Sequence, residues 1–141
     1  MDPAEDLTPE DYRNLAEFRR QIRQFVSFSE GVARQHGVEP KQHQLLLTIR
    51  GLPENVTPTI GEIASRLFIR HHSAVELVNR LVDAGLVVRV KGKEDRREVL
   101  IRMTAAGTAL LRKLSLAHNL ELKRSGPALA RALNSVIRNA R

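Results

Sequence analysis

The stretch that decides the fold is residues 59–107, and it reads TIGEIASRLFIRHHSAVELVNRLVDAGLVVRVKGKEDRREVLIRMTAAG. Apolar residues recur at intervals of three and four near 59–67 and again over about 72–84, which predicts two short helices. The basic, histidine-rich residues 70–72 predict a sharp turn between them, and Gly85 predicts the end of the second helix. The stretch therefore opens with a helix-turn-helix.

After Gly85 the periodicity changes from helix to strand. Residues 86–90 and 98–103 are β-branched runs, and the polar, glycine-containing segment 91–97 between them predicts a hairpin. The segment from Arg89 to Arg97 holds five basic and two acidic residues, a net charge of +3. Two helices followed by a basic hairpin predict a winged helix-turn-helix, whose second helix enters the major groove of DNA while the wing flanks it.

The composition narrows the class of partner. The chain has 141 residues, enough for one domain with a real core, and carries 23 Lys and Arg against 16 Asp and Glu. The net charge of +7 favours a polyanion such as nucleic acid or an anionic membrane surface. No apolar run approaches the length of a membrane span, and the acidic first six residues are unlike a signal peptide, so we expect a cytoplasmic protein. The lack of cysteine excludes disulfides and thiolate metal sites within this chain.

The flanks of the central stretch predict further helices. Residues 1–8 read as a short leader, and a long helix follows, with apolar residues spaced as in a helix that packs along another helix, to about residue 35. A second helix opens at Pro40. Beyond Gly107 helical spacing continues to about residue 124, a break is predicted at 125–127, and one last helix follows.

Helices of this length are too long to be buried completely within so small a domain. We therefore expect a second subunit to pack against them. The predicted architecture is mainly α with one β-hairpin. Residues 1–37 form an N-terminal dimerisation helix, 38–107 the winged helix-turn-helix, and 108–141 the C-terminal dimerisation helices.

The central stretch resembles the MarR family of bacterial transcription regulators. The matching features are the IGEIASRL helix, the NRLVDAGLV run, Asp95-Arg96-Arg97 in the wing, and the MTAAG segment that closes it. The resemblance implies a homodimer that binds a pseudo-palindromic operator as a repressor and releases it when a small aromatic or anionic effector binds. Val75 and Glu76 depart from the family pattern, so the operator sequence cannot be taken from relatives.

The candidate DNA-binding residues lie in the predicted turn, the second helix and the wing. They are Arg70, His71, His72, Ser73, Glu76, Asn79, Arg80, Arg89, Lys91, Lys93, Asp95, Arg96 and Arg97. Residues near the start of the second helix contact bases in helix-turn-helix proteins, whereas the wing cations attract phosphates of any sequence. An exposed turn and cap is the alternative for 70–73, and a structural ion pair is the alternative for Arg80. By resemblance, Asp95 braces Arg97, which enters the minor groove.

The remaining candidates concern small ligands. Phe25, Phe28, His36 and His43 are candidate effector-pocket residues, with a place in the core as their alternative. The sequence holds five histidines, but only His71 and His72 are adjacent, and neighbouring side chains on a helix diverge. We therefore predict no metal site and no cofactor.

Other classes of function fit less well. The sequence contains no catalytic spacing, so we do not expect an enzyme. The alternatives to a site-specific regulator are a winged-helix module that docks on protein or RNA, and a protein that binds DNA without sequence choice. A basic protein of the membrane surface would need an amphipathic, aromatic-rich helix, which the sequence lacks.

Overall fold

The computed structural model describes residues 6–139, so most of the predicted leader lies outside the described residues. Over this range the chain forms five helices and two strands, in the order α1, α2, α3, α4, β1, β2 and α5. Their bounds are α1 Pro9–Gln35, α2 Pro40–Arg50, α3 Ile60–Leu67, α4 His71–Asp83, β1 Val87–Lys91, β2 Val99–Met103 and α5 Ala105–Asn139. The predicted fold class, mainly helical with one β-hairpin, is confirmed.

The chain divides into two compact units, each built from its own contacts. Residues 33–115 form one unit, here called the winged lobe, which extends a few residues beyond the predicted 38–107 on either side. Residues 6–32 and 116–139 form the described part of the other, here called the helical unit. The boundaries between the units fall inside α1 and α5.

The winged lobe has a closed apolar core. Leu45, Leu46, Ile63, Leu81 and Ile101 come from α2, α3, α4 and β2, and each is fully buried. Because the apolar residues within each helix recur at intervals of three or four, one face of each helix points inward. These contacts hold α3 and α4 against α2 and leave the opposite face of α4 in solvent.

The two strands form an antiparallel hairpin, in which Val87 lies opposite Met103 and Lys91 lies opposite Val99. A short segment before α3 extends this sheet, because the backbone N–H of Ile101 donates to the carbonyl of Pro58 over 2.9 Å. The hairpin is therefore tied through β2 to the segment before α3, and its charged tip forms the wing.

Thr104 and Gly107, which follow the wing in the sequence, hold its base in place. The Thr104 hydroxyl donates to the carbonyl of Gly85 over 2.7 Å and accepts from the N–H of Gly107 over 3.0 Å. A β-carbon on Gly107 would lie 2.1 Å from the carbonyl oxygen of Leu86, so only glycine allows this close approach. These contacts join the end of α4 to the start of α5.

The predicted break at residues 125–127 is wrong, and α5 is a single helix with Pro127 in its interior. The missing N–H of proline removes one helical hydrogen bond, to the carbonyl of Lys123. Lys123 is an exposed residue, and the nearby Ser125 hydroxyl donates to the carbonyl of Glu121 over 2.9 Å. The strong helical pattern on both sides outweighs the cost of one proline.

The helical unit contains the first part of α1 and most of α5. Thr8 and Asp11 cap α1 reciprocally, since each side chain accepts from the other's backbone N–H, over 3.1 Å and 2.8 Å. Between the two helices, His118 Nε2 lies 2.7 Å from the Ser29 hydroxyl, and the His118 ring packs edge-on near Phe25 and Phe28. The described part of the chain contains no helix long and apolar enough to cross a membrane.

Candidate nucleic-acid interface

The first turn of α4 presents the residues that the sequence predicts for base contact. Arg70 is the N-cap of α4, so the helix begins at His71, one residue earlier than the sequence predicts. Arg70, His71 and His72 are exposed and Ser73 is half-buried. On the opposite face, the helix buries Ala74, Leu77, Val78 and Leu81. The N-terminus of α4 is thus held rigidly with its polar residues in solvent.

Further along the helix, Glu76 is exposed and Val75 is half-buried. The carboxylate of Glu76 therefore faces solvent on the same helix as the basic first turn. A carboxylate there would repel phosphate, but it can accept a hydrogen bond from the amino group of cytosine.

Arg80 forms a contact within the winged lobe. Its Nη1 lies 3.2 Å from Oε2 of Glu39, the N-cap residue of α2, and both side chains are exposed. The sequence leaves two roles open for Arg80, a phosphate contact and an ion pair. In the free protein Arg80 forms the ion pair. Its contribution to stability should be small, because solvent screens exposed pairs.

A hydrogen bond connects α4 to the wing. Nη2 of Arg89 on β1 donates to Oδ1 of Asn79 on α4, and both residues are exposed. Two residues predicted separately as DNA contacts therefore lie together at the junction of helix and wing. A pair in this position can align the wing with α4.

The tip of the wing contains a local ion pair. Nε of Arg97 lies 3.2 Å from Oδ1 of Asp95, which also accepts from the backbone N–H of Arg97 over 3.0 Å. Both hydrogen bonds favour the ionised carboxyl and lower the pKa of Asp95 below its ordinary value, the side-chain bond more strongly. The Arg97 side chain is still 92% exposed, and the neighbouring Lys91, Lys93 and Arg96 are exposed as well. The brace orients Arg97 without removing it from solvent.

The net charge is concentrated in the unit that carries these residues. Residues 33–115 hold 14 Lys and Arg against 8 Asp and Glu, a net charge of +6, whereas the rest of the chain holds 9 against 8. Nearly all of the chain's +7 therefore belongs to the winged lobe.

The candidate effector residues divide between the two units. Phe25 and Phe28 belong to the helical unit, where they pack near the His118 ring, and His36 and His43 belong to the winged lobe. His43 is buried on α2, whereas His36 is exposed just after α1. Within residues 6–139 no three His, Asp or Glu side chains form a group that could hold a metal ion.

The sequence does not predict the position of Phe68 on the surface. It lies in the turn between α3 and α4, its φ is 56°, and its side chain is 95% exposed. The available signal was the lack of glycine or asparagine after the last residue of α3, where a helix that turns sharply usually has one.

Comparisons with known proteins agree with this geometry. The sequence profile described as MarR family matches residues 36–98. The chain is 36% identical over 66 residues to the HTH-type transcriptional regulator FarR of Neisseria gonorrhoeae, a match that covers 47% of this chain and 45% of FarR. The chain spans about half the length of the first curated relatives it matches.

Solved structures share the fold. AbsC, a MarR family transcriptional regulator from Streptomyces coelicolor, superimposes with a TM-score of 0.72 at 18% identity, over 86% of this chain and 81% of AbsC. A single-residue mutant of S. aureus MepR, bound to an oligodeoxyribonucleotide, superimposes with a TM-score of 0.65 at 18% identity, over 93% of this chain and 99% of MepR.

The helices α3 and α4 are followed by the hairpin of β1 and β2, and the first turn of α4 is exposed in a basic lobe. This arrangement defines the class as a winged helix-turn-helix protein. Within that class, residues 36–98 match the profile of the MarR family, and the chain is similar to transcriptional regulators such as FarR and shares the fold of AbsC.

Proposed function

We propose that this protein regulates transcription by binding a specific double-stranded DNA site as a homodimer. The observation that carries the proposal is the rigidly held, exposed N-terminus of α4 in a lobe with a net charge of +6. Positive charge attracts DNA of any sequence, and a helix presented in this way fits the major groove. Arg70, His71 and His72 would then read base edges.

The wing is proposed to follow the adjacent backbone and minor groove. Arg97 is the residue we assign to the minor groove, because Asp95 fixes its direction while its guanidinium stays in solvent. An arginine held in this way suits a narrow, A·T-rich groove, where the negative potential is strongest. Lys91, Lys93 and Arg96 would contribute attraction without sequence choice.

The homodimer is proposed from the apolar surface of the helical unit. Large hydrophobic side chains are exposed there in the single chain, namely Leu7, Tyr12, Leu15, Val26, Leu116, Leu120, Leu122, Leu133 and Ile137. Eight of the nine lie on the two long helices, and so many exposed apolar side chains favour burial against a second copy. A two-fold dimer would present two α4 helices to half-sites about one helical turn of DNA apart.

Repression, and relief by a small aromatic or anionic effector, are part of the same proposal and follow the family resemblance. Phe25, Phe28, His36 and His43 remain the candidate effector residues. A ligand can release DNA only if it binds the two states of the dimer with different affinity.

The test is fluorescence-anisotropy binding of the full chain to the DNA upstream of its own gene, with a scrambled duplex as the control, at low and raised salt. The proposal expects the upstream duplex to keep an advantage of about 4 kcal/mol or more, a difference that salt leaves in place. If this duplex and a genome-wide selection of bound fragments both reveal no preferred sequence, the protein is a non-specific DNA binder or an interaction module.

A further inference from the structure

Three helices in this protein end in the same hydrogen-bonded turn. At the end of α1, the N–H of Gly37 donates to the carbonyl of Arg34 over 3.0 Å and that of Val38 to Ala33 over 3.1 Å. At the end of α4, Gly85 and Leu86 make the equivalent bonds to Val82 and Leu81, each over 2.9 Å. At the end of α3, Phe68 bonds to Ser65 over 3.3 Å and Ile69 to Ala64 over 3.1 Å. This pair of hydrogen bonds is the Schellman motif, which needs one residue with positive φ.

The three turns differ in the residue with positive φ. Gly37 has φ 79° and Gly85 has φ 75°, whereas Phe68 has φ 56° and is the only non-glycine residue in the described chain with positive φ. A β-carbon at Gly37 or Gly85 would meet nothing within 4 Å, so backbone conformation, not space, favours glycine there. Phenylalanine at the third position is therefore less favourable for the backbone than glycine.

Packing within the lobe does not account for the ring. The Phe68 side chain is 95% exposed, the most exposed large hydrophobic side chain in the described residues. Ile69, the next residue, is half-buried, so the apolar contact that usually accompanies this motif belongs to Ile69. The ring has neither a local conformational role nor a core role in the free protein.

The location of the ring indicates its partner. Phe68 lies two residues before Arg70, the N-cap of α4, in the lobe that carries a net charge of +6. The lobe that carries the ring therefore favours a polyanion, and duplex DNA also offers apolar groups, the deoxyribose and the thymine methyl, to an aromatic side chain.

We propose that Phe68 contacts the apolar groups of operator DNA at the edge of the major groove and that this contact contributes to affinity. The inference rests on the proposed DNA-binding function, and it adds a residue and a kind of contact that the basic residues do not supply. Because the contact is apolar, it should not involve release of counterions.

The test compares Phe68→Ala with Phe68→Gly in the full-length protein. Phe68→Ala removes the ring and leaves a side chain at positive φ, whereas Phe68→Gly removes the ring and relieves the backbone. We expect both variants to bind the preferred duplex about fivefold to tenfold more weakly than wild type, since an apolar side chain of this size loses its burial. The dependence of the affinity on salt should be unchanged.

Unfolding monitored by circular dichroism provides the second measurement. Phe68→Gly should raise the midpoint of denaturation above that of Phe68→Ala, because glycine relieves the positive φ. If both variants are folded under the conditions of the binding assay and Phe68→Gly is the more stable of the two, weak binding by both cannot be explained by misfolding.

Three outcomes would overturn the inference. If both variants bind the preferred duplex as tightly as wild type, the ring does not contact DNA. A protein would then be the alternative partner of the Phe68 ring. If only Phe68→Gly loses affinity, the flexibility of the turn is the cause. If the salt dependence falls, the variants have lost phosphate contacts instead. If the wild-type protein prefers no DNA sequence, the proposed function itself is contradicted. That result is measured on the wild type alone, so it can be distinguished from the three outcomes for the Phe68 variants.

Discussion

The two compact units of the chain differ in what they bury and in the charge they carry. The winged lobe encloses Leu45, Ile63 and Leu81 completely and holds nearly all of the net positive charge. The helical unit leaves nine large hydrophobic side chains exposed, among the residues described, and the sequence outside 33–115 has a net charge of only +1. Long-range repulsion would therefore oppose association least at the helical unit. This difference supports the proposal that one unit binds DNA and the other pairs with a second copy of the chain.

The largest effect should come from a charge placed on the apolar surface of the helical unit. Leu120 is 70% exposed, so Leu120→Lys should cost the single chain little. In a homodimer it would bury two lysines at the interface, and we expect a loss of at least about 2 kcal/mol in association free energy, the scale of an interface hot spot. Sedimentation equilibrium would measure the shift from dimer to monomer.

Leu47→Lys is the matched control for that experiment. Leu47 is 44% exposed on α2 of the winged lobe, and the same substitution there should leave the association unchanged. Equal association of Leu120→Lys and wild type would show that α5 does not pair through this face. Monomerisation by both variants would show that the two units do not differ in the way described.

The next effect concerns the charge of the winged lobe. Arg97→Ala should cost about 1–3 kcal/mol of binding to the preferred duplex, because a positioned side chain is lost from the groove. Lys93→Ala removes one positive charge from the same wing and should weaken binding to preferred and scrambled duplexes alike, lowering the salt slope by about one. Anisotropy titrations of both variants on both duplexes would separate the roles. A folded Arg97→Ala dimer with wild-type affinity would contradict the assignment.

The sequence predicts the winged lobe well, since the signals there are local. The N-cap Thr59 accepts from the N–H of Glu62 over 3.2 Å, and the glycine after α4 has the positive φ that its position implies. Periodicity, caps and a charged hairpin tip act within a few residues of each other, so each can be recognised without knowing the tertiary contacts. The brace between Asp95 and Arg97 is equally local.

Other features depend on contacts between distant residues, or on opposing contributions to stability summed over a long segment. Pro127 is a helix breaker by propensity, yet α5 continues through it, because a long run of helical sequence on both sides outweighs one lost hydrogen bond. The pairing of Arg80 with Glu39 joins residues 41 positions apart, and no pattern in the sequence predicts it. Phe68 was missed because it breaks a local rule, and such departures are expected at strained or functional positions.

The smallest expected effect concerns the brace at the tip of the wing. Since Arg97 lowers the pKa of the Asp95 carboxyl, Arg97→Ala should raise it toward the ordinary aspartate value, and carboxyl NMR titration of both proteins would measure the change. A lowered pKa means that the brace stabilises the fold above the pKa of the unfolded chain and loses that effect as pH falls through the folded pKa. The effect belongs to acidic pH, so the wing should keep its brace near neutrality. Because both side chains are exposed, the effect on overall stability should be slight. If the titration of Asp95 is the same in both proteins, the guanidinium is not held against the carboxyl in solution, and the direction proposed for Arg97 would lose its support.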